Sequence, residues 1–134
     1  MGKVIREPKK RASKKKILIV DDEKDICKLI SMNLATRGYS TNKAHSGAEA
    51  LEAIKKEKPD LIILDVKMPN MDGFEVLKRL KANPDYARIP IIMLTVKKGP
   101  TFVDKGVTLG ADFYLDKPFT FDNLLSFIKV ACEE

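Results

Sequence analysis

The chain has 134 residues, of which 44% are hydrophobic, so it can build one domain with a true core. No run approaches the ~18 apolar residues of a membrane span, and the charged N-terminus has no apolar stretch of the kind a secretory leader needs; a cytoplasmic location is the expectation. The net charge of +6 is local: residues 1–16 hold eight Lys or Arg against one Glu, a net of +7, so the rest of the chain carries about −1. The basicity belongs to a leader segment, not to a nucleic-acid-binding face.

Residues 1–15 lack apolar periodicity and read as a basic, flexible tail, with residues 16–134 as one domain. Ile17 to Val20 is a short β-branched run, the mark of a strand covered on both faces. Lys24 to Arg37 follows with Ile26, Ile30 and Leu34 on one helical stripe, stopped by Gly38. Tyr39 to Ala44 is a weak second strand. Ser46 and Glu49 form a capping box that opens a helix with Ala50, Leu51 and Ile54 inward, and Pro59 ends that segment. Leu61 to Leu64 is a third strand, Gly73 to Ala82 a third helix with Phe74, Leu77 and Leu80 apolar, and Ile91 to Leu94 a fourth strand. A weaker helix is expected over 97–109, delayed by Gly99-Pro100. Phe113 to Leu115 is a fifth strand, and Thr120 can cap a last helix with Phe121, Leu124, Leu125 and Ile128 on one side. Five short apolar strands alternating with five helices predict a doubly wound parallel sheet. Ligands bind such sheets beyond the carboxyl ends of the strands.

Those ends carry chemistry. Asp21 and Asp22 follow the first strand, Asp65 ends the third, Thr95 the fourth, and Asp116-Lys117-Pro118 follows the fifth. Singly, each has an ordinary reading: Asp22 as a helix cap, Thr95 as a structural strand end, Lys117-Pro118 as a solvated turn. Together they place three carboxylates, a hydroxyl and an ammonium on one edge. The carboxylates would repel unless one protonates or a hard cation joins them, and Mg²⁺ suits oxygen ligands. The hydroxyl and ammonium then look like ligands for a transferred oxyanion.

Ile19-Val20-Asp21-Asp22-Glu23, Asp65-Val66-Lys67-Met68-Pro69-Asn70-Met71-Asp72-Gly73, Leu94-Thr95, Gly110-Ala111-Asp112, Tyr114 and Lys117-Pro118-Phe119 together resemble the receiver domains of response regulators, from about Lys16 to Cys132. The resemblance implies a flavodoxin-like fold with strand order 2-1-3-4-5. It implies a phosphorylation-activated switch of two-component phosphorelay signalling, a phosphoprotein that takes a phosphoryl group onto Asp65 as 4-aspartylphosphate. The donor would be a sensor histidine kinase or a phosphotransfer protein. Asp22 and Asp65 would hold Mg²⁺ directly (Mn²⁺ can substitute), Asp21 mainly through water, and the backbone carbonyl of Lys67 would add a ligand. Lys117 would pair with the phosphoryl oxygens, Thr95 would turn its hydroxyl to them, and Tyr114 would rotate inward after it. The Lys117-Pro118 peptide is expected to be cis. A downstream protein would read the face made by 97–109, the fifth strand and the last helix, with a phosphorylation-dependent homodimer as a further option and no direct contact of this domain with DNA. Such a module catalyses its own phosphotransfer and dephosphorylation without being a turnover enzyme. No output domain is read in the sequence, which fits a stand-alone regulator or an excised receiver.

Val96 after Thr95, Gly99-Pro100 and Lys67 depart from the family's usual residues, and they bear on the lifetime of the phosphoryl group. Three other readings compete. A phosphatase of the haloacid dehalogenase kind needs Asp-x-Asp on its first strand, whereas Asp65 is on the third and is followed two residues on by Lys67. A nucleotide-binding module needs a Gly-rich first turn, where Asp21-Asp22-Glu23 stands. A degenerate receiver, binding partners without phosphorylation, would not need all of these roles filled. His45 reads as an exposed loop residue away from the site. Cys27 and Cys132 are expected to remain unpaired, at opposite ends of their helices.

Overall fold

The computed structural model describes residues 14–96 and 110–132. Strands β1 (Lys16–Val20), β2 (Ser40–Ala44), β3 (Leu61–Asp65), β4 (Ile91–Thr95) and β5 (Phe113–Asp116) form one parallel sheet in the order β2-β1-β3-β4-β5. Four helices are present among the described residues: α1 (Lys24–Ala35), α2 (Gly47–Lys56), α3 (Gly73–Lys81) and α4 (Phe121–Ala131). The helix expected over 97–109 lies outside the described residues, as does most of the basic tail. Lys15, the last tail residue by the sequence reading, already accepts a backbone hydrogen bond from Ser40 N–H at 2.9 Å.

The central strands are hydrophobic at every position because both faces are covered. Leu18, Val20, Ile62, Leu64, Ile91 and Met93 point to one side, against Ala50 and Ile54 of α2 and Phe74, Leu77 and Leu80 of α3. Ile17, Ile19, Leu61, Ile63, Ile92 and Leu94 point to the other, against Cys27, Ile30 and Leu34 of α1 and Leu124 and Ile128 of α4. This is the period-two alternation of a strand with a core on each side. Each fully buried Leu or Ile contributes about 1.5–3 kcal/mol relative to exposure. The edge strand β2 is mostly exposed and reads weakly for that reason.

The helix ends follow local chemistry. Helix α1 stops at Ala35, two residues before the sequence reading; Gly38 then takes φ +90° and Tyr39 N–H reaches back to Leu34 O at 3.2 Å. That left-handed residue with its reach-back bond is a common helix stop. Ser46, Asp72 and Thr120 cap α2, α3 and α4, accepting from the N–H groups of Glu49, Glu75 and Asn123. The returning arm of the capping box differs from the usual pattern: Glu49 accepts from His45 N–H at 2.9 Å, one residue before the cap. Neither Cys27 nor Cys132 forms a disulfide, and burial pushes the Cys27 thiol up to about 12.

Candidate functional site

Register places the chemistry-bearing residues level with one another. Val20 pairs with Leu64 and Asp65 with Leu94, while Thr95 pairs with Asp116, so the residues at the ends of β1, β3, β4 and β5 meet at one edge. Asp21 is completely buried, Asp65 is 4% exposed and Thr95 2% exposed. Asp22, by contrast, faces solvent. Carboxylate oxygens of Asp21, Asp22 and Asp65 lie within 4.8 Å of one another.

Lys117 reaches into this cluster from the other side. Its ammonium donates to Asp21 Oδ2 at 2.9 Å, lies 3.2 Å from Asp65 Oδ1 and 3.8 Å from Glu23 Oε1. Two backbone features aim it: the Lys117–Pro118 peptide is cis, and Lys117 N–H donates to Thr95 O at 2.7 Å. The second Asp21 oxygen, Oδ1, accepts from Glu23 N–H at 2.9 Å. Asp21 thus spends both oxygens on holding the first turn and the lysine. Asp22 makes no hydrogen bond or ion pair with the described residues and is not a helix cap; the cap position of α1 is Glu23, without a side-chain bond.

The electrostatics follow from burial. Desolvation, then the neighbouring Asp21, push the Asp65 carboxyl up to about 6, and Lys117 only partly offsets them. Burial works to lower Lys117, but its bonds and charge contacts with Asp21 and Asp65 outweigh that and hold it above its ordinary value. Three acids with one resident ammonium leave a net negative pocket, and the exposed Asp22 carboxylate is uncommitted. That oxygen-only donor set fits a hard divalent cation such as Mg²⁺.

Asp65 is aimed by the tight turn that follows it. Gly73 N–H donates to Val66 O at 2.8 Å, and a Cβ on Gly73 would collide with Asp65 O and come 2.9 Å from Val66 Cα. Only glycine lets α3 begin this close to the end of β3. Asn70 adopts φ 69°, which asparagine tolerates better than most residues. Over the carboxylates lies an open depression of about 570 Å³ whose walls include Lys67 and Val96. Both are exposed, Val96 at 54%. A groove of about 670 Å³ along the start of α3 contains none of the three clustered acids. Tyr114 on β5 is half-buried, and its hydroxyl is buried with no hydrogen-bond partner among the described residues.

Three residues carry more than their sequence pattern indicated. Glu23 is a further acid near Lys117. Gly73 acts by close approach, and its signal was available in the Asp72-Gly73 pair before an apolar run. His45 corrects the sequence reading: it is half-buried, not an exposed loop residue, and its ring Nδ1 lies 3.2 Å from the backbone oxygen of Asp21. Nothing in the spacing of a lone histidine between a strand and a helix points to that contact.

Residues 17–129 match the family model described as the response regulator receiver domain. The chain is 47% identical over 106 residues to the alkaline phosphatase synthesis transcriptional regulatory protein PhoP of Bacillus subtilis, covering 79% of this chain and 43% of that protein. It is 40% identical over 111 residues to the response regulator MprA of Mycobacterium avium, covering 83% and 48%. The chain therefore spans less than half the length of these curated relatives. Among solved structures, the chemotaxis protein CheY4 of Vibrio cholerae superposes with a TM-score of 0.85 at 37% identity, over 89% of this chain and 99% of that one. The receiver domain of the Francisella response regulator 1452 gives 0.82 at 32% identity, over 89% and 97%. Sequence, strand order and fold agree: the chain belongs to the response regulator receiver family.

Proposed function

We propose that Asp65 is the phosphoacceptor, served by a divalent cation, Mg²⁺ or Mn²⁺, held at Asp22 and Asp65, with Asp21 and the Lys67 carbonyl in support. Receiver domains of two-component response regulators are phosphorylation-activated signalling modules, and this chain is one of them. The observation that carries the finer reading is the convergence of a buried carboxylate, two further acids and one ammonium from three separate strand ends.

Phosphoryl transfer depends on positioning and charge neutralisation more than on covalent machinery. The bound cation would supply neutralising charge for the phosphoryl oxygens and the acceptor. Asp65 must be ionised to attack phosphorus; with its carboxyl pushed up to about 6, most of it is ionised at pH 7 even before a cation binds. Its oxygen forms the new phosphorus–oxygen bond as the bond from phosphorus to the donor histidine breaks. Lys117, already 3.2 Å from Asp65 Oδ1, can transfer its charge to the phosphoryl group without travelling far. Thr95 and Tyr114 form the switch. Burying a hydroxyl unpaired costs about 1–3 kcal/mol, so the Tyr114 hydroxyl, which has no partner among the described residues, gains from a rearrangement that offers it one.

The donor in this reading is a sensor histidine kinase or a phosphotransfer protein, and the output is a changed protein-binding face built on β5 and α4, including a phosphorylation-dependent homodimer. The module works in the cytoplasm, touches no DNA itself and does not turn over substrates beyond its own phosphoryl group. Residues 1–15 form a leader to a domain that starts at Lys16. Among the described residues, no helix is long and apolar enough to cross a membrane.

Incubation with acetyl phosphate and Mg²⁺ should add one phosphoryl group to the wild-type chain and none to Asp65→Asn, as read by intact mass. Undiminished labelling of the variant would overturn the assignment.

A further inference from the structure

We infer that His45 is a positioning residue for the acidic site: its ring N–H holds the peptide that joins Asp21 to Asp22. The inference rests on the reading of these carboxylates as a divalent-cation site.

In a parallel ladder, carbonyl and N–H groups of adjacent strands pair until one strand leaves the sheet. The β1–β2 ladder ends at the pair Val20 and Ala44, and Asp21 N–H closes it by donating to Ala44 O at 3.1 Å. The next group on β1's side is the carbonyl of Asp21. Beyond Ala44 the chain turns away at His45 and enters the cap of α2 at Ser46. No backbone N–H of β2 is left to continue the ladder.

His45 fills that place with its side chain. Nδ1 lies 3.2 Å from Asp21 O, and since a carbonyl only accepts, the ring must donate through Nδ1–H. Both the neutral tautomer protonated at Nδ1 and the doubly protonated ring carry that hydrogen, so the contact persists whichever of these forms is present. The backbone that carries the ring is itself held, because the His45 main-chain N–H donates to Glu49 Oε1 at 2.9 Å. A second, weaker donor meets the same carbonyl from below: Cys27 Sγ at 3.3 Å. The Asp21 carbonyl and the Asp22 N–H belong to one rigid peptide plane. Fixing that plane fixes the direction in which Asp22 leaves the backbone. Asp22 is the exposed, uncommitted acid, and its own side chain makes no hydrogen bond or ion pair with the described residues. Asp21 needs no such help, because Glu23 N–H and Lys117 hold its carboxylate directly.

The consequence is specific. Loss of the donor should loosen Asp22 more than it loosens the fold. Outer groups that orient metal ligands are commonly worth about 10–100-fold in affinity. His45 acts one step further back, through a peptide that Cys27 also holds, so roughly three- to tenfold is expected.

Two variants separate the donor from the ring. His45→Asn keeps an N–H at the same distance from Cβ as Nδ1; His45→Phe keeps the ring and removes the donor. Mg²⁺ affinity is measured by calorimetric titration, and the thermal midpoint is measured in EDTA. The expected result is His45→Phe binding Mg²⁺ about three- to tenfold more weakly and His45→Asn within about twofold of wild type, with both midpoints close to wild type. Wild-type affinity in His45→Phe would overturn the role, and so would equal weakening of both variants, which would make the ring a packing element. If His45→Phe does not fold, His45→Ala takes its place with the same two outcomes. A wild-type chain that binds no Mg²⁺ would overturn the cation-site reading, and this inference with it; intact wild-type binding with an indifferent His45 would overturn this inference alone.

Discussion

At the amino edge of the sheet, Lys16 pairs with Glu57 at 2.8 Å while the side chains stay 49% and 57% exposed. Asp60 closes the same corner by accepting from Lys16 N–H at 2.8 Å. At the carboxyl edge, Lys117 pairs with Asp21 at nearly the same distance, 2.9 Å, but with exposures of 13% and 0%. The geometry of the two ion pairs is alike; the dielectric around them is not. Water screens the first pair and would solvate either partner if it were left alone. At the second, an unpaired charge has no water to turn to, and its loss is expensive. The same buried setting pushes Asp65 up to about 6. One edge is built to close the fold, and the other holds buried negative charge that a single ammonium only partly compensates.

The largest effect that tests this contrast is removal of the shared ammonium. Lys117→Met should destabilise the chain by about 3 kcal/mol in EDTA, because Asp21 and Asp65 lose their compensating charge. Chemical denaturation at pH 7.5 measures it. A cost no larger than that of an exposed pair would erase the distinction between the edges.

Next comes pH. The Asp65 carboxyl is raised in the folded chain from 3.8 to about 6, so between those values the folded state holds a proton that the unfolded chain has released. That proton favours folding, and the advantage is lost as pH rises through 6. Asp65→Asn removes the titration. In EDTA it should be more stable than wild type by about 3 kcal/mol at pH 7.5, with the difference shrinking towards pH 4. A difference that stays constant across that range would mean that burial of Asp65 does not set its proton affinity.

The smallest effect is expected at the amino edge. Glu57→Gln should leave the thermal midpoint unchanged within error. A clear drop would mean that the Lys16 corner is a stronger clamp than its exposure indicates.

Much of this was legible beforehand, for identifiable reasons. The strands β1, β3 and β4 announce themselves because double coverage requires an apolar residue at every position. The end residues Asp21, Asp22, Asp65, Thr95 and Lys117 could be read as one cluster because a parallel sheet sends every strand end to the same edge. Edge strand β2 was faint because its outer face needs no hydrophobic residue, and α1 was read two residues too long because the cue, Gly38, stands beyond the last helical turn.

Local order along the chain, set by side-chain period, caps and glycines, is what the sequence determined by itself, together with the family motifs that name the acidic edge. Three-dimensional packing alone decided that Asp21 is wholly buried while its neighbour Asp22 is exposed. It alone decided that Glu23 joins Lys117 and that His45 completes the ladder at Asp21. These depend on distances between segments about 20 to 100 residues apart, and no one-dimensional period encodes them. The physical reason is that burial and hydrogen-bond partnership are properties of the space left when β1, β2, β3 and β5 end side by side, not of any one strand.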